Sequence, residues 1–488
     1  RGNIYDRNEN ILASSVQLHK VIISSVHVKE EFTDIIAELV AKHLKLDFKK
    51  VEQKIREKRE QESQYFVIAK RVPPKNYQAL KAELRDIYRN GDQDFKKRFK
   101  KTKNRAIAQE KKQYRIYPGK SLAAQLLGGV KARSQKGAGG LEYQYDSVLK
   151  GEEFATIRLK DAGNRDISQL IPDEMAPQAQ DGQHIRLTID SRIQHITDQA
   201  IAKAVEVTGA ATGFAVVVDV ETGEILAIST QPTVNINKSS AFSEWEKLKL
   251  RSLIDSYESG SVFKPLIAAA ALNEGLFTPN TLIDCRNGYW KIHGIRIRDK
   301  HCQGDQITVT EAIQQSSNIG AVTMNLELGA ERSLDYLNAF GFGTPTDLNF
   351  PGETSGRIPS KKRIKPYHLV TMSYGYALTS SLTQLTMAYA SLGNEGQLMK
   401  PILVKEILNS DGDVIEKFDS EVVEDVVLPK VAKQTIDMMK TVVGDGGTAK
   451  LARVPGYVVA GKTGTAEKAI AGGYSKTDAY CTFIGLIP

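Results

Sequence analysis

Three short motifs in fixed order constrain this chain more than any other feature: Ser261-Val-Phe-Lys264, Ser316-Ser317-Asn318 and Lys462-Thr463-Gly464-Thr465. They supply a hydroxyl nucleophile, two amines, a second hydroxyl and an amide, which act jointly only if a fold brings distant segments within reach. Each spacing has a local reason. Three apart on a helix, Ser261 and Lys264 share a face, so the amine can reach the hydroxyl. Ser261 is expected to open that helix, where the positive end of the dipole favours developing negative charge. A serine hydroxyl needs a base within reach. Lys264 serves as one only when neutral, which takes burial or a neighbouring cation, and Lys462 is the candidate neighbour. Ser316 can relay a proton to a leaving amine, and the Asn318 amide can hold a peptide bond because it both donates and accepts. Lys-Thr-Gly reads as a strand edge along which an extended peptide aligns, with Gly464 letting that peptide come close. Lys462, Thr463 and Thr465 can receive a terminal carboxylate.

Singly, these motifs mean little. Ser147-Val-Leu-Lys150 repeats the first spacing and is read as chance. Ser-x-Asn alone is ordinarily a cap or turn, and Lys-Thr-Gly alone a turn. The order and the context carry the reading: a helix start, a loop beside a helix, then a strand.

The rest of the sequence sets the frame. A chain of 488 residues is too long for one core, so two or three domains are expected. No run of eighteen apolar residues offers a membrane span. The first residue is Arg1, with neither Met nor signal peptide, so the chain is expected to be part of a longer protein whose anchor is absent. The net charge of +8 is local: residues 96–112 hold nine lysines and arginines against Glu110 alone. The favoured reading is a solvated face, with acidic lipid or an acidic partner as the functional one. A nucleic-acid channel would need interleaved aromatics, and only Phe95 and Phe99 are present. Cys285 and Cys302 lie symmetrically about a hairpin turn at His293-Gly294, so a disulfide is one reading. A zinc site of Cys285, Asp299, His301 and Cys302 and two unrelated free thiols are the others, and Cys481 stands apart.

Along the chain, Val21–Ile23 and Tyr65–Ile68 read as strands, residues 31–63 as helical, and Gly137–Gly140 as a turn region. Ser191 is expected to cap an amphipathic helix presenting Ile193, Ile196, Ala200, Ile201 and Ala204. Phe214–Val220 and Glu224–Ser229 read as a hairpin, Pro265–Leu272 as a buried helix ending near Gly275, and Tyr457–Ala460 and Tyr480–Ile487 as strands. The expected class is α+β: one antiparallel sheet closed by the two ends of residues 181–488 and flanked by helices, preceded by an extended α+β domain over residues 1–180.

The motif set resembles that of penicillin-binding proteins and serine β-lactamases. Glu258-Ser-Gly-Ser261-Val-Phe-Lys264-Pro265, Gln315–Gly320, Val459–Ala466 and Gly341–Glu353 are similar to class B penicillin-binding proteins. Arg1–Arg7, Arg115–Gly119, Gly139–Glu142 and Leu149–Gly151 resemble the pedestal of that class. The pedestal argues against a β-lactamase, and no glycosyltransferase motif precedes it, which argues against the bifunctional class. The resemblance implies a transpeptidase domain of the penicillin-binding and serine β-lactamase fold. It implies a D,D-transpeptidase acting on the D-Ala-D-Ala end of peptidoglycan stem peptides, with Ser261 acylated and D-Ala released. The oxyanion hole would be the backbone N–H groups of Ser261 and Thr465. It implies no metal and no organic cofactor, covalent capture of β-lactams, and work beside a glycosyltransferase and other division or elongation proteins, division being favoured. The expected location is the periplasmic side of the inner membrane, held by an N-terminal anchor. The alternatives are a β-lactam-hydrolysing or β-lactam-sensing protein of the same fold, and a non-catalytic scaffold. Three departures stand out. Ser381-Leu382 replaces the usual Thr-Pro before Thr383-Gln384, with little effect expected. Residues 86–112 are longer and more basic than usual. The last strand and C-terminal helix of the family do not follow Pro488, from which lowered stability is expected.

Overall fold

The computed structural model describes residues 1–131, 134–151, 181–299 and 306–487. The domain boundary expected at residue 180 falls on residues 152–180, outside the described residues. Compactness divides the chain into Ala13–Tyr117 and a larger unit of Arg1–Leu12 with Pro118–Pro488.

The chain begins with a short strand, β1 (Ile4–Tyr5), and a long one, β2 (Ile11–Ile23). In the smaller unit there follow α1 (Thr33–Leu44), α2 (Phe48–Glu60), β3 (Phe66–Val72), α3 (Pro74–Asn90), α4 (Gln93–Arg105) and β4 (Ile107–Ile116). β2 pairs antiparallel with β3 and with β4. The strands and helices read from residues 21–23, 65–68 and 31–63 are therefore present. Local chemistry sets the helix starts: Asp47 and Asp92 accept the free N–H groups of Lys50 and Phe95. Val21, Ile23, Ile36, Val40, Leu80 and Phe99 form the core beneath them. The basic run occupies α4 and most of β4. In α4 only Phe99 and Thr102 are buried, so its charges form the solvated face that was expected.

In the larger unit, three segments that resemble the pedestal meet at Arg1. Its guanidinium donates to the buried Glu142 carboxylate at 2.7 Å and to Asp146 at 2.6 Å, and the Gly2 N–H donates to the Leu149 carbonyl. A Cβ on Gly2 would lie 1.8 Å from the Gln183 carbonyl oxygen, so the pairing of β1 with β5 (His184–Leu187), which is parallel, needs glycine there. α5 (Ser191–Thr208) starts at Asp190, whose carboxylate accepts from the N–H groups of Arg192 and Ile193. Asp190 is thus the cap expected at Ser191, and the Ser191 hydroxyl instead donates to Asp6 at 2.6 Å. The expected apolar stripe is also not the buried face: Ile196 is 65% exposed, whereas Gln194 and Thr197 are buried. The reason is a backbone mimic. The Gln194 amide accepts from the Ile228 N–H and donates to its carbonyl, docking the helix on its polar side.

Strands β6 (Gly213–Val218) and β7 (Ile225–Gln231) form the expected hairpin, with Gly223 at φ +76° in the turn. α6 (Lys264–Asn273) is buried along Lys264–Leu272 and stops at Gly275, as read; a helix apolar on all sides sits inside a core. β8 (Tyr289–Ile292) and β9 (Ile295–Arg298) pair about His293-Gly294. α7 (Asn318–Leu328), α8 (Leu382–Gly393) and α9 (Pro429–Val443) surround α6, with Leu266, Met324, Tyr389, Met439 and Ala460 in one cluster. β10 (Ala460–Ile470) and β11 (Gly473–Leu486) form the last hairpin. The strand expected from Tyr457 starts only at Ala460; Tyr457 and Val458 are exposed. The architecture is α+β as expected, but among the described residues the sheet is present as two separate hairpins, β6–β7 and β10–β11. Both rest on α8, where a Cβ on Gly393 would meet Val220 at 3.2 Å and Leu486 at 3.4 Å.

The other expected departure has a physical account. Ser381 caps α8 reciprocally with Gln384. The Gln384 amide then donates to the carbonyls of Thr344 at 2.6 Å and Ser355 at 2.9 Å, fixing the loop of residues 341–355.

Candidate active site

The geometry of the three motifs begins with the turn before α6. Gly260–Phe263 form a 3₁₀ turn that runs directly into α6, so Ser261 precedes the α-helix by one short turn instead of opening it. Gly260 has φ +63°, and a Cβ there would lie 2.5 Å from the Thr465 carbonyl oxygen. A Cβ on Gly464 would lie 2.5 Å from the Ser259 carbonyl oxygen, 3.0 Å from Val262 Cγ1 and 3.1 Å from Val262 N. Glycine at 464 therefore lets the strand close on the nucleophile turn, a different neighbour from the peptide expected to need that space. The Tyr389 hydroxyl, wholly buried, donates to the Val262 carbonyl at 2.5 Å and ties the turn to α8.

Lys264 and Lys462 come together at Ser316. Lys264 Nζ donates to the Ser316 carbonyl at 2.5 Å and to Ser316 Oγ at 3.1 Å. Lys462 Nζ donates to the same Oγ at 2.9 Å and to the Thr463 carbonyl at 3.0 Å. Both lysines are buried, at 1% and 0% exposure. The amine expected on Ser261 is instead hydrogen-bonded to Ser316, and the Ser261 hydroxyl has no hydrogen-bond partner among the described residues. Burial first, and the charge of Lys462 second, hold Lys264 well below the usual lysine range, with Asp299 opposing. Burial brings Lys462 down to about 8. Of the pair, Lys264 is the one whose proton is held more weakly by its surroundings, because its own burial is compounded by the charge of Lys462. Ser316 sits at φ +60°, a left-handed conformation costly for a side chain, and it turns both its carbonyl and its hydroxyl toward Lys264.

A residue without a motif holds the second segment in place. Asp299 accepts from the Ser317 hydroxyl at 2.5 Å and from the N–H groups of Asn318 at 2.7 Å and Ile319 at 3.1 Å, and Ser317 accepts from the Gly320 N–H. The start of α7 is thereby capped twice over, with the carboxylate at the favourable end of the dipole. Asp299 was read only as a zinc-ligand alternative. It is committed to this cap, while His301 and Cys302 lie outside the described residues. The expected pairing of Cys285 falls on Cys302 and so lies there too; Cys285 is buried and Cys481 is a free, exposed thiol.

Around this hub lies a cleft of about 320 Å³. Ser261, Lys264, Ser316, Asn318, Thr463, Gly464 and Thr465 line it, together with Arg298, Asp299, Gln315, Ser317 and Thr448. Every expected site residue is there except Lys462, which is sealed behind Ser316. The Asn318 amide donates to the Arg298 carbonyl at 3.3 Å, and the hydroxyls of Thr448 and Thr463 share a hydrogen bond at 3.0 Å. Arg298, Asp299 and Thr448 carried no motif signal; only the hairpin pattern and a Gly-Gly-Thr turn mark their neighbourhoods. The arrangement places in one cleft a hydroxyl without a hydrogen-bond partner among the described residues, a buried amine of lowered basicity, a second hydroxyl between two lysines, and a strand of threonines. It suits acyl transfer through a serine ester.

Comparison with known proteins follows from this geometry. The sequence matches the penicillin binding protein transpeptidase domain over residues 213–488 and the penicillin-binding protein dimerisation domain over residues 1–187. It is 34% identical over 383 residues to a probable peptidoglycan D,D-transpeptidase, PbpC, of Pseudomonas aeruginosa, covering 78% of this chain and 65% of that protein. It is 31% identical over 494 residues to a probable peptidoglycan D,D-transpeptidase, PenA, of Neisseria gonorrhoeae, covering 100% of this chain and 77% of that protein. The chain thus spans about two thirds to three quarters of the length of these relatives. Its fold matches penicillin binding protein 2X from Streptococcus thermophilus with a TM-score of 0.79 at 24% identity, over 100% of this chain and 74% of that one.

Proposed function

This chain belongs to the class B penicillin-binding proteins, and we propose that it is a peptidoglycan D,D-transpeptidase that cross-links stem peptides through an acyl-enzyme on Ser261. The observation that carries the reading is the Ser316 hydroxyl held between two buried lysines, both with lowered basicity, at the cleft that Ser261 lines. A neutral Lys264 has two N–H groups and one lone pair. The N–H groups are used on the Ser316 carbonyl and hydroxyl, which leaves the lone pair to accept the Ser261 proton as Oγ attacks the penultimate D-Ala carbonyl. The Ser316 oxygen accepts from both lysines, so its own proton points elsewhere, toward the amine of the departing D-Ala. Backbone N–H groups of Ser261 and Thr465 stabilise the oxyanion. The bond to D-Ala breaks as its nitrogen takes the Ser316 proton, and Ser316 is reprotonated by Lys264, which thereby passes on the proton it took from Ser261. In the second half-reaction an acceptor amine attacks the ester and the protons run in reverse. Asn318 holds the donor's preceding amide, and Thr463 and Thr465 receive its carboxylate.

The substrate lies outside the cytoplasmic membrane, so the site works on that face, and no helix among the described residues is long and apolar enough to cross a membrane. A glycosyltransferase that supplies nascent strands is the partner this reaction requires, and a role in division is favoured over one in elongation. The test is labelling of this chain and of Ser261→Ala with a fluorescent penicillin, followed by intact mass. A slowly reversed covalent adduct on the parent and none on the variant supports the reading. Rapid turnover of the penicillin points to a hydrolase, and no adduct on the parent points to a scaffold.

A further inference from the structure

We propose that the β8–β9 hairpin selects donor peptides bearing a free carboxylate on the residue that precedes the terminal D-Ala-D-Ala, with Arg298 as the specificity-determining side chain. The inference rests on the transpeptidase reading above. On the outer face of the hairpin Lys291 stands directly opposite Arg296, and Tyr289 opposite Arg298, all four exposed. Like charges directly opposite each other weaken an isolated ladder, so the arrangement favours an anion over the pair. Among the described residues neither these three cations nor Arg286 has an ion-pair partner. Asp299, which follows Arg298 in the chain, is engaged at the start of α7, and Asp284 accepts from the Arg286 backbone N–H.

A cationic face alone would be ordinary solvated surface; position distinguishes this one. The inner face of the hairpin is fixed, with Ile297 packed beside Ile319, Val322 and Val370. Arg298 lines the same cleft as Ser261, and its carbonyl is held by the Asn318 amide. The Tyr289 ring lies 6.0 Å from its guanidinium. A donor whose terminal carboxylate rests on Thr463 and Thr465, and whose preceding amide rests on Asn318, presents its next side chain to Arg298. A guanidinium matches a carboxylate there through paired N–H donors and opposite charge, binds a carboxamide more weakly through its single uncharged oxygen, and repels an ammonium.

The experiment compares acylation rates for benzylpenicillin and its α-carboxy analogue, whose side-chain amide stands in for the bond Asn318 holds. The parent is expected to prefer the carboxylated probe at low salt, with the preference shrinking in 0.5 M salt because the group is exposed. In Arg298→Gln the ratio of the two rates should fall about fivefold, the upper range for an exposed pair, and Arg298→Lys should restore part of it. A ratio unchanged in Arg298→Gln, or one insensitive to salt in the parent, overturns the inference while leaving the transpeptidase reading intact. A parent that reacts with neither probe overturns both.

Discussion

Replacing Gly464 by alanine tests whether the strand and the nucleophile turn are truly packed backbone to backbone. The new Cβ would meet the Ser259 carbonyl oxygen at 2.5 Å, and ordinary contact begins at 3.4 Å, so about 0.9 Å must be found. The obstacles are main chain at Ser259 and Val262, not the end of a flexible side chain, and Val262 is itself tied to the buried Tyr389 hydroxyl. Gly464 lies in extended strand, so alanine adds no backbone strain and the whole effect is steric. Overpacking of this kind costs about 1–3 kcal/mol. Displacing a nucleophile by about 1 Å costs about 100-fold in rate. Gly461→Ala is the milder comparison on the same strand: its Cβ would meet the ring of Phe483, a side chain 45% exposed, at 2.7 Å, and main chain only at 3.1 Å, at the Ile484 carbonyl oxygen. Stopped-flow acylation by a fluorescent penicillin, with thermal melting alongside, reads both effects. A Gly464→Ala protein that acylates within twofold of the parent at an unchanged melting temperature would refute the argument.

The two lysines make further predictions. In Lys462→Met the cation that helps hold Lys264 neutral is gone, so the acidic limb of the acylation profile should move to higher pH, with a loss of about 100-fold or more at neutrality; a limb at the same pH argues against the coupling. Because both lysines bind protons less readily folded than unfolded, stability should rise as pH increases from about 8 toward the unfolded lysine value, measured by denaturant titration at constant ionic strength; a flat profile would count against their burial. Asp299→Asn should cost about 1 kcal/mol by weakening the α7 cap, and should move the same acidic limb to lower pH, because Asp299 raises Lys264. Intact mass with and without reductant should differ by about 2 Da if Cys285 pairs as the hairpin symmetry suggests, and an unchanged mass excludes it.

Much of the site was legible because its chemistry is local. Ser261 and Lys264, and the Ser316–Asn318 and Lys462–Thr465 runs, each need particular residue types at short spacing, and all of them line one cleft except Lys462, which lies behind Ser316. The reading failed where neighbours decide. Ser191 carries a capping hydroxyl, yet the helix is capped one residue earlier, by Asp190. Ile196 belongs to an apolar stripe, yet the helix docks through Gln194, because an amide can pair with an open strand backbone in a way that no hydrophobic period reveals. Asp299 enters the sequence reading only through an alternative zinc site and is a helix cap, since whether a carboxylate faces a cation or a row of free N–H groups depends on what packs beside it.

By itself the sequence determined the α+β composition, the order of the strands and helices around the site, and which motif residues were candidates to meet there, because residue type and short-range spacing are properties of the chain. Only the tertiary structure decided which hydroxyl the amines hold. Lys264 and Lys462 both turn to Ser316 and leave Ser261 free, an outcome set by segments that are 52 and 146 residues away from Ser316. The lowered basicity of that pair likewise comes from the tertiary structure, since burial strips an ammonium of its water and so weakens its hold on the proton.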